Sequence, residues 1–102
     1  MANGVLGKSD LSANTNTSLY TVPSGSYTIA TVNICNRGTS TANIRIAVAA
    51  SGTPANSEYI EYDVALAPKG VLERTGVLVG EDQILVVRSS QASVTAMTYG
   101  IE

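Results

Sequence analysis

Ala42-Asn43-Ile44-Arg45-Ile46-Ala47-Val48-Ala49-Ala50 carries the cleanest alternation in the chain. Ala42, Ile44, Ile46, Val48 and Ala50 fall on one side of a period-two pattern, with Asn43 and Arg45 on the other. Side chains of an extended strand point to opposite faces in turn, so this register buries one face and wets the other. Wound as a helix, the same residues would scatter around the axis. The stretch predicts a half-buried β-strand.

The segments on either side follow the same grammar. Ser18 to Val22 reads as a strand closed by the turn Pro23-Ser24-Gly25-Ser26. Tyr27 to Asn36 alternates Ala30, Val32 and Ile34 against Thr31, Asn33 and Cys35, and Arg37-Gly38-Thr39-Ser40 breaks it. Ser51 to Ser57 is a longer connection, expected to cross between sheets. Glu58 to Leu66 and Val71 to Val79 are rich in β-formers, and Ala67-Pro68-Lys69-Gly70 between them has turn chemistry, which suggests a hairpin. Ile84 to Val87 is apolar on both faces, as a strand covered from two sides would be. Ser93 to Ile101 closes the chain with Val94 and Ala96 facing in. The expectation is an all-β chain, a single β-sandwich of about seven or eight antiparallel strands, immunoglobulin-like or jelly-roll. Strand order is not readable from the pattern. The sandwich is assigned to residues 18–102. Residues 1–17 are rich in Gly, Asn, Ser and Thr, and their apolar residues Val5, Leu6 and Leu11 follow neither a helical nor an alternating period. They are read as a flexible N-terminal arm, either a frayed terminus or an arm that becomes ordered by burying those three residues against a neighbouring subunit.

Composition narrows the function. The chain has 102 residues, a size at which one domain builds one core. Charged residues are 14% of it and the net charge is -2, against nucleic-acid binding, which wants a basic face. No apolar run approaches the roughly 20 residues of a membrane span, and no basic region followed by an apolar run marks a signal peptide at the N-terminus. The one cysteine, Cys35, allows no intrachain disulfide and is expected to act as a small buried hydrophobe.

Catalytic chemistry finds no purchase. With no histidine, Ser-His-Asp and Cys-His arrangements and the usual zinc sites are excluded, and no Gly-rich loop joins a strand to a helix. In the expected hairpin Asp63 stands opposite Arg74, while Tyr59, Glu61 and Asp63 share a face, which is ordinary cross-strand pairing. A glycosidase dyad would need a cleft and stacking aromatics, and the chain has no Trp and no Phe. Calcium held by Glu61, Asp63 and Glu81 or Asp82 would lack the regular ligand spacing of a calcium loop. No catalytic residue, cofactor or metal ligand is assigned. A carbohydrate-binding module stays open as an alternative, with Tyr20, Tyr27, Tyr59, Tyr62 and Tyr99 the aromatics available to it.

Several blocks together resemble a family of small virion structural proteins of tailed bacteriophages, especially those infecting cyanobacteria. They are Leu19-Tyr20-Thr21-Val22-Pro23, Asn33-Ile34-Cys35-Asn36-Arg37, Glu58-Tyr59-Ile60-Glu61-Tyr62-Asp63, Leu72-Glu73-Arg74-Thr75-Gly76 and Tyr99-Gly100-Ile101-Glu102. The likeness runs from about Ser18 onward, and its most specific element is the third block spaced from the fourth. It implies a virion part made in the host cytoplasm, without choosing head or tail. A compact sandwich with a terminal arm and a weakly charged surface suits a capsid decoration, or cement, protein that binds the major capsid protein. A tail, neck or baseplate-associated structural or host-adhesion protein is the alternative. The expected contact residues are Val5, Leu6, Leu11, Tyr59, Glu61, Asp63 and Arg74. Self-association as a homodimer or homotrimer is expected too, because a small sandwich has edge strands to protect.

Overall fold

Alternation becomes structure most directly at the centre of the sequence. In a computed structural model, which describes residues 3–102, Ala42, Ile44 and Ile46 are fully buried in the main core, and Val48 packs against it. They belong to one of eight strands: β1 (Asn3–Leu11), β2 (Thr17–Thr21), β3 (Thr28–Asn36), β4 (Ala42–Ala49), β5 (Tyr59–Leu66), β6 (Val71–Val79), β7 (Ile84–Ser89) and β8 (Val94–Ile101). These form two four-stranded sheets, ordered β1-β8-β3-β6 and β2-β7-β4-β5, with every strand pair antiparallel. Side chains from both inner faces, such as Val32 and Ile34 from one and Ile44 and Ile46 from the other, make a single core.

The pairs β1–β8, β2–β7, β3–β6 and β4–β5 nest inside one another, so the chain is a long hairpin bent at the β4–β5 connection. Rolling that hairpin up adds the pairs β3–β8 and β4–β7. This is the strand order of a jelly roll. An immunoglobulin sandwich would pair its first two strands, whereas β1 and β2 lie in different sheets.

Three expectations need correction. First, Asn3–Leu11, read as part of a flexible arm, is β1, paired along β8 from Asn3↔Ile101 to Leu11↔Val94. The first two residues of the expected arm lie outside the described residues. Leu11 is 3% exposed in the main core, so it is not available to a neighbouring subunit. Second, β5 and β6 are not a hairpin. Ala67–Gly70 does turn, with the Gly70 amide donating to the Ala67 carbonyl at 2.9 Å, but it carries the chain from one sheet to the other. Third, the long connection after β4 does not cross between sheets; β4 and β5 are neighbours in one sheet.

That connection folds back over its own sheet instead. The Glu58 carboxylate ties it down, accepting from the amides of Ala50 at 3.0 Å and Ala55 at 2.8 Å, around a single 3-10 turn at Asn56–Glu58. Gly52 reaches as far as β2, where an added Cβ would lie 3.4 Å from Ser18 Oγ. Beneath this cover Ala47, Ala49 and Val86 form a second buried cluster with Tyr59 and Ile84 packed against it. Strand β7 is thus covered from both sides, as its continuous apolar run demanded.

Each sheet edge is irregular, while the central pairs β3–β8 and β4–β7 run in unbroken register. The β1–β8 register shifts between Val5 and Gly7, and the β2–β7 register between Ser18 and Tyr20. On β6, Thr75 and Gly76 (φ 67) together oppose Thr31. On β5, Ile60 is extra, and Tyr62 with Asp63 (φ 52) opposes Arg45. Bulges kink a strand and spoil its edge as a template for further pairing. The edges therefore carry their own protection, and edge cover gives no reason for a homo-oligomer.

Candidate interaction surfaces

The outer face of the β1-β8-β3-β6 sheet divides into a polar half and an apolar half. In the polar half Arg37 bridges to Asp10 at 2.6 Å and donates to Thr95 Oγ1 at 2.7 Å, and Tyr99 donates to Glu73 at 3.1 Å. Cys35 lies on this face between Thr95 and Val71 in register, half-buried and outside the core where it was expected. The apolar half is a row of cross-strand neighbours, Ile101 beside Ile29 and Ile29 beside Leu78. Such pairs stand roughly 5 Å apart at Cβ, so they form one continuous surface.

These side chains are not merely grazed by solvent: Ile29 is 53%, Leu78 63% and Ile101 69% exposed. Val5 lies exposed on the same sheet and Tyr27 just before β3, and Tyr27, Ile29 and Ile101 share the wall of a hollow of about 230 Å³. The inward partners Thr28, Ala30, Val77 and Val79 are buried, so this end of the sheet is largely apolar on both faces. An isolated exposed leucine is ordinary; a contiguous run of exposed apolar side chains is where contact sites are found. Of the expected contact residues only Val5 belongs here; Leu6 is half-buried.

The other expected residues do not share a face. The bulges of β5 break the alternation that would have aligned Tyr59, Glu61 and Asp63. Asp63 pairs with Arg45, through Nε at 2.6 Å and Nη2 at 3.2 Å, and not with Arg74. That guanidinium holds the Asp63 carboxyl below the usual range of an aspartate. Arg74 instead reaches Glu61 at 2.9 Å, an ion pair between edge strands of the two sheets. Tyr59 meets Tyr62 edge to face, with ring centroids 5.0 Å apart, and the Arg45 guanidinium stacks 4.2 Å over the Tyr62 ring.

The acids considered for calcium are dispersed. Glu81 accepts from the Gly25 amide and Asp82 from Ser24 Oγ, joining two loops away from Glu61 and Asp63. Among the described residues no group of three or more His, Cys, Asp or Glu is placed to hold a metal ion.

Where the last residues meet β2, Tyr20 donates its hydroxyl to the Glu102 carboxylate, and Thr28 Oγ1 reaches the same oxygen at 3.4 Å. This hydrogen bond, with burial and the carboxylate's charge, pushes Tyr20 from the ordinary 10.0 up to about 12. The fold favours the neutral phenol, so its contribution to stability is complete below pH 10 and is lost as pH rises towards about 12. Substituting Tyr20→Phe is expected to flatten the stability profile across that alkaline window, as measured by urea unfolding. Parallel decline of the variant and the parent would show that the bond contributes nothing.

The signal for the apolar row lay in the sequence, because Ile29 and Leu78 alternate with inward residues and so had to point outward. Their adjacency needs the β3–β6 pairing, which the sequence does not display. No protein-family model, no curated protein and no solved structure matches this chain.

Proposed function

We propose that this chain is a non-enzymatic structural protein of a tailed-bacteriophage virion, a decoration protein that docks on the major capsid protein lattice. The observation that carries the docking role is the apolar end of the outer β1-β8-β3-β6 face, where Ile29, Leu78 and Ile101 stand in one exposed row. The virion assignment rests on the sequence blocks. The two most specific of them fall on β5 and β6, where the Glu61–Arg74 ion pair links them.

A decoration protein acts by adding contact area between shell subunits. A standard interface buries roughly 800 Å² per partner, and an apolar patch of the observed kind would supply its centre, with the polar half of the face as its rim. Repetition over a lattice multiplies a modest contact into a large gain in shell strength.

Two measurements test this. Quantitative mass spectrometry of purified particles should find the chain in a number comparable to the capsid protein; a few copies per particle would overturn the decoration role and favour a tail, neck or baseplate position. Substituting Leu78→Asp, at an exposed position, should leave the melting temperature within a few degrees and lower particle occupancy at least about tenfold. Undiminished occupancy would rule out this face.

A further inference from the structure

We propose that the polar hollow on the outer face of the β2-β7-β4-β5 sheet is a binding site for an acidic sugar, with Arg88 receiving its carboxylate. The hollow has a volume of about 200 Å³ and is lined by Asn14, Asn43, Arg45, Asp63, Arg88 and Ser90. It lies on the other sheet from the apolar row, and nothing in the proposal depends on the virion reading.

The site is built by the β5 bulge. Because Tyr62 and Asp63 both oppose Arg45, one guanidinium is held from two directions, by the Asp63 carboxylate and by the Tyr62 ring. Asp63 takes φ 52 to do this, a left-handed conformation that aspartate tolerates better than most residues. Bulges recur where a strand must re-aim a side chain. The result is an arginine with its orientation fixed and its charge already balanced.

Directly across the β4–β7 ladder stands Arg88, in register with Arg45. Like charges facing each other across a ladder are unfavourable, and the one carboxylate in the hollow is engaged by Arg45. Among the described residues the Arg88 side chain makes no hydrogen bond and no ion pair, although it is half-buried; it feels Asp63 only through charge, adding a smaller share to the lowering that Arg45 dominates. The exposed amide side chains of Asn14 and Asn43 likewise have no protein partner among the described residues, since their hydrogen bonds to Ser89 and Ser90 run through the backbone. Three side chains with unused hydrogen-bonding capacity therefore converge on one hollow. The hollow carries a positive excess in a chain whose net charge is -2.

The ligand class follows from what those groups lack. A guanidinium fork matches a carboxylate with two parallel hydrogen bonds. Amide side chains both donate and accept, as sugar hydroxyls do. An acidic side chain from a protein offers the amide oxygens no donor, and an inorganic phosphate offers no spread of hydroxyls to reach both amides. A uronic acid offers the carboxylate and the hydroxyls on one ring. The hollow is smaller than the roughly 300–1,000 Å³ of drug-sized sites, which fits one ring. On the far side of Arg45, Tyr59, Tyr62 and Asn56 line a second hollow, and Tyr62 is 56% exposed. A tyrosine ring there gives the next sugar of an oligomer an apolar surface to stack on.

Calorimetric titration of the full chain with oligogalacturonate, its methyl ester, N-acetylglutamate amide and inorganic phosphate tests the proposal. Oligogalacturonate should bind saturably and the ester about ten- to a hundredfold more weakly, as loss of a charge-assisted contact predicts. Arg88→Gln should weaken the acidic oligomer by a similar factor at unchanged melting temperature. Tyr62→Ala should weaken the oligomer more than the monosaccharide. Absence of saturable oligogalacturonate binding, or equal binding of the ester, would overturn the site. Binding of the glutamate derivative or of phosphate as tightly as the sugar would overturn the ligand class.

Discussion

Deleting residues 1–11 is expected to destroy the cooperative fold. If these residues were a free arm, their loss would leave the sandwich unchanged. They include β1, however, which hydrogen-bonds along most of β8, and Leu11, 3% exposed in the main core. Truncating one buried leucine costs about 2–5 kcal/mol, against a total stability of about 5–15 kcal/mol for a domain. Gly7 shows how closely β1 fits: an added Cβ would lie 2.1 Å from the Leu19 carbonyl oxygen of β2, so two edge strands of opposite sheets meet there backbone to backbone. Removing β1 also turns β8 into an edge. The β8 register with β3 has no bulge, so the new edge would be a regular template for intermolecular pairing. Urea unfolding followed by circular dichroism should show a lost or strongly shifted transition, with aggregates on size exclusion. The point variant Leu11→Ala should lose about 2–5 kcal/mol. A truncated chain that stays monomeric with an unshifted urea midpoint would restore the arm.

Strand β1 differs from the others in the kind of signal its sequence carries. Strands β2 to β8 are legible because each carries a local signal: alternation, an apolar run, or a run of β-formers bounded by turn residues. In β1 the register shift between Val5 and Gly7 changes the side on which residues fall, so Val5, Leu6 and Leu11 obey no single period. The hairpin error has a different origin. Ala67-Pro68-Lys69-Gly70 has the composition of a tight turn whether the chain re-enters its own sheet or crosses to the other. The choice is made by distant strands: β4 beside β5 and β3 beside β6. With the wrong neighbour came the wrong ion pairs, Asp63 with Arg74 in place of Asp63 with Arg45 and Glu61 with Arg74. The hollow at Arg88 was out of reach for the same reason, since Arg45 and Arg88 meet only through the β4–β7 ladder. Element type is a property of a segment, whereas a site is a property of pairings.

Asn36 makes this point most sharply, and substituting Asn36→Asp is expected to have the largest effect of any single polar change. In the sequence it is the residue before a turn. In the structure it is fully buried and holds three segments together. Its side-chain nitrogen donates to the carbonyls of Ser40 at 2.9 Å and Leu66 at 3.0 Å, and its side-chain oxygen accepts from the Gly38 amide at 2.9 Å. Its backbone joins the β5–β6 turn, donating to Gly70 and accepting from Lys69. The end of β3, the turn after it and the crossing between sheets are thus tied to one amide. Aspartate keeps the shape and loses both donors, leaving two carbonyl oxygens facing a carboxylate. Each unsatisfied buried group costs about 1–3 kcal/mol, and a buried charge adds to that, so a loss of at least about 3 kcal/mol is expected, or roughly 15 °C in melting temperature. The sign of the pH dependence separates charge from shape. Desolvation and the facing carbonyls raise the new carboxyl above the unfolded value of about 3.9. The charge penalty is therefore absent below that value, grows as pH rises, and is complete only above the raised folded value. Asn36→Leu removes the same two donor hydrogen bonds, and the acceptor for Gly38 as well, without a titrating group. The aspartate variant should recover stability between pH 7 and 4 relative to the leucine variant. A parent-like urea midpoint for Asn36→Asp at pH 7, or identical pH profiles for the two variants, would mean that the amide does not tie these segments together.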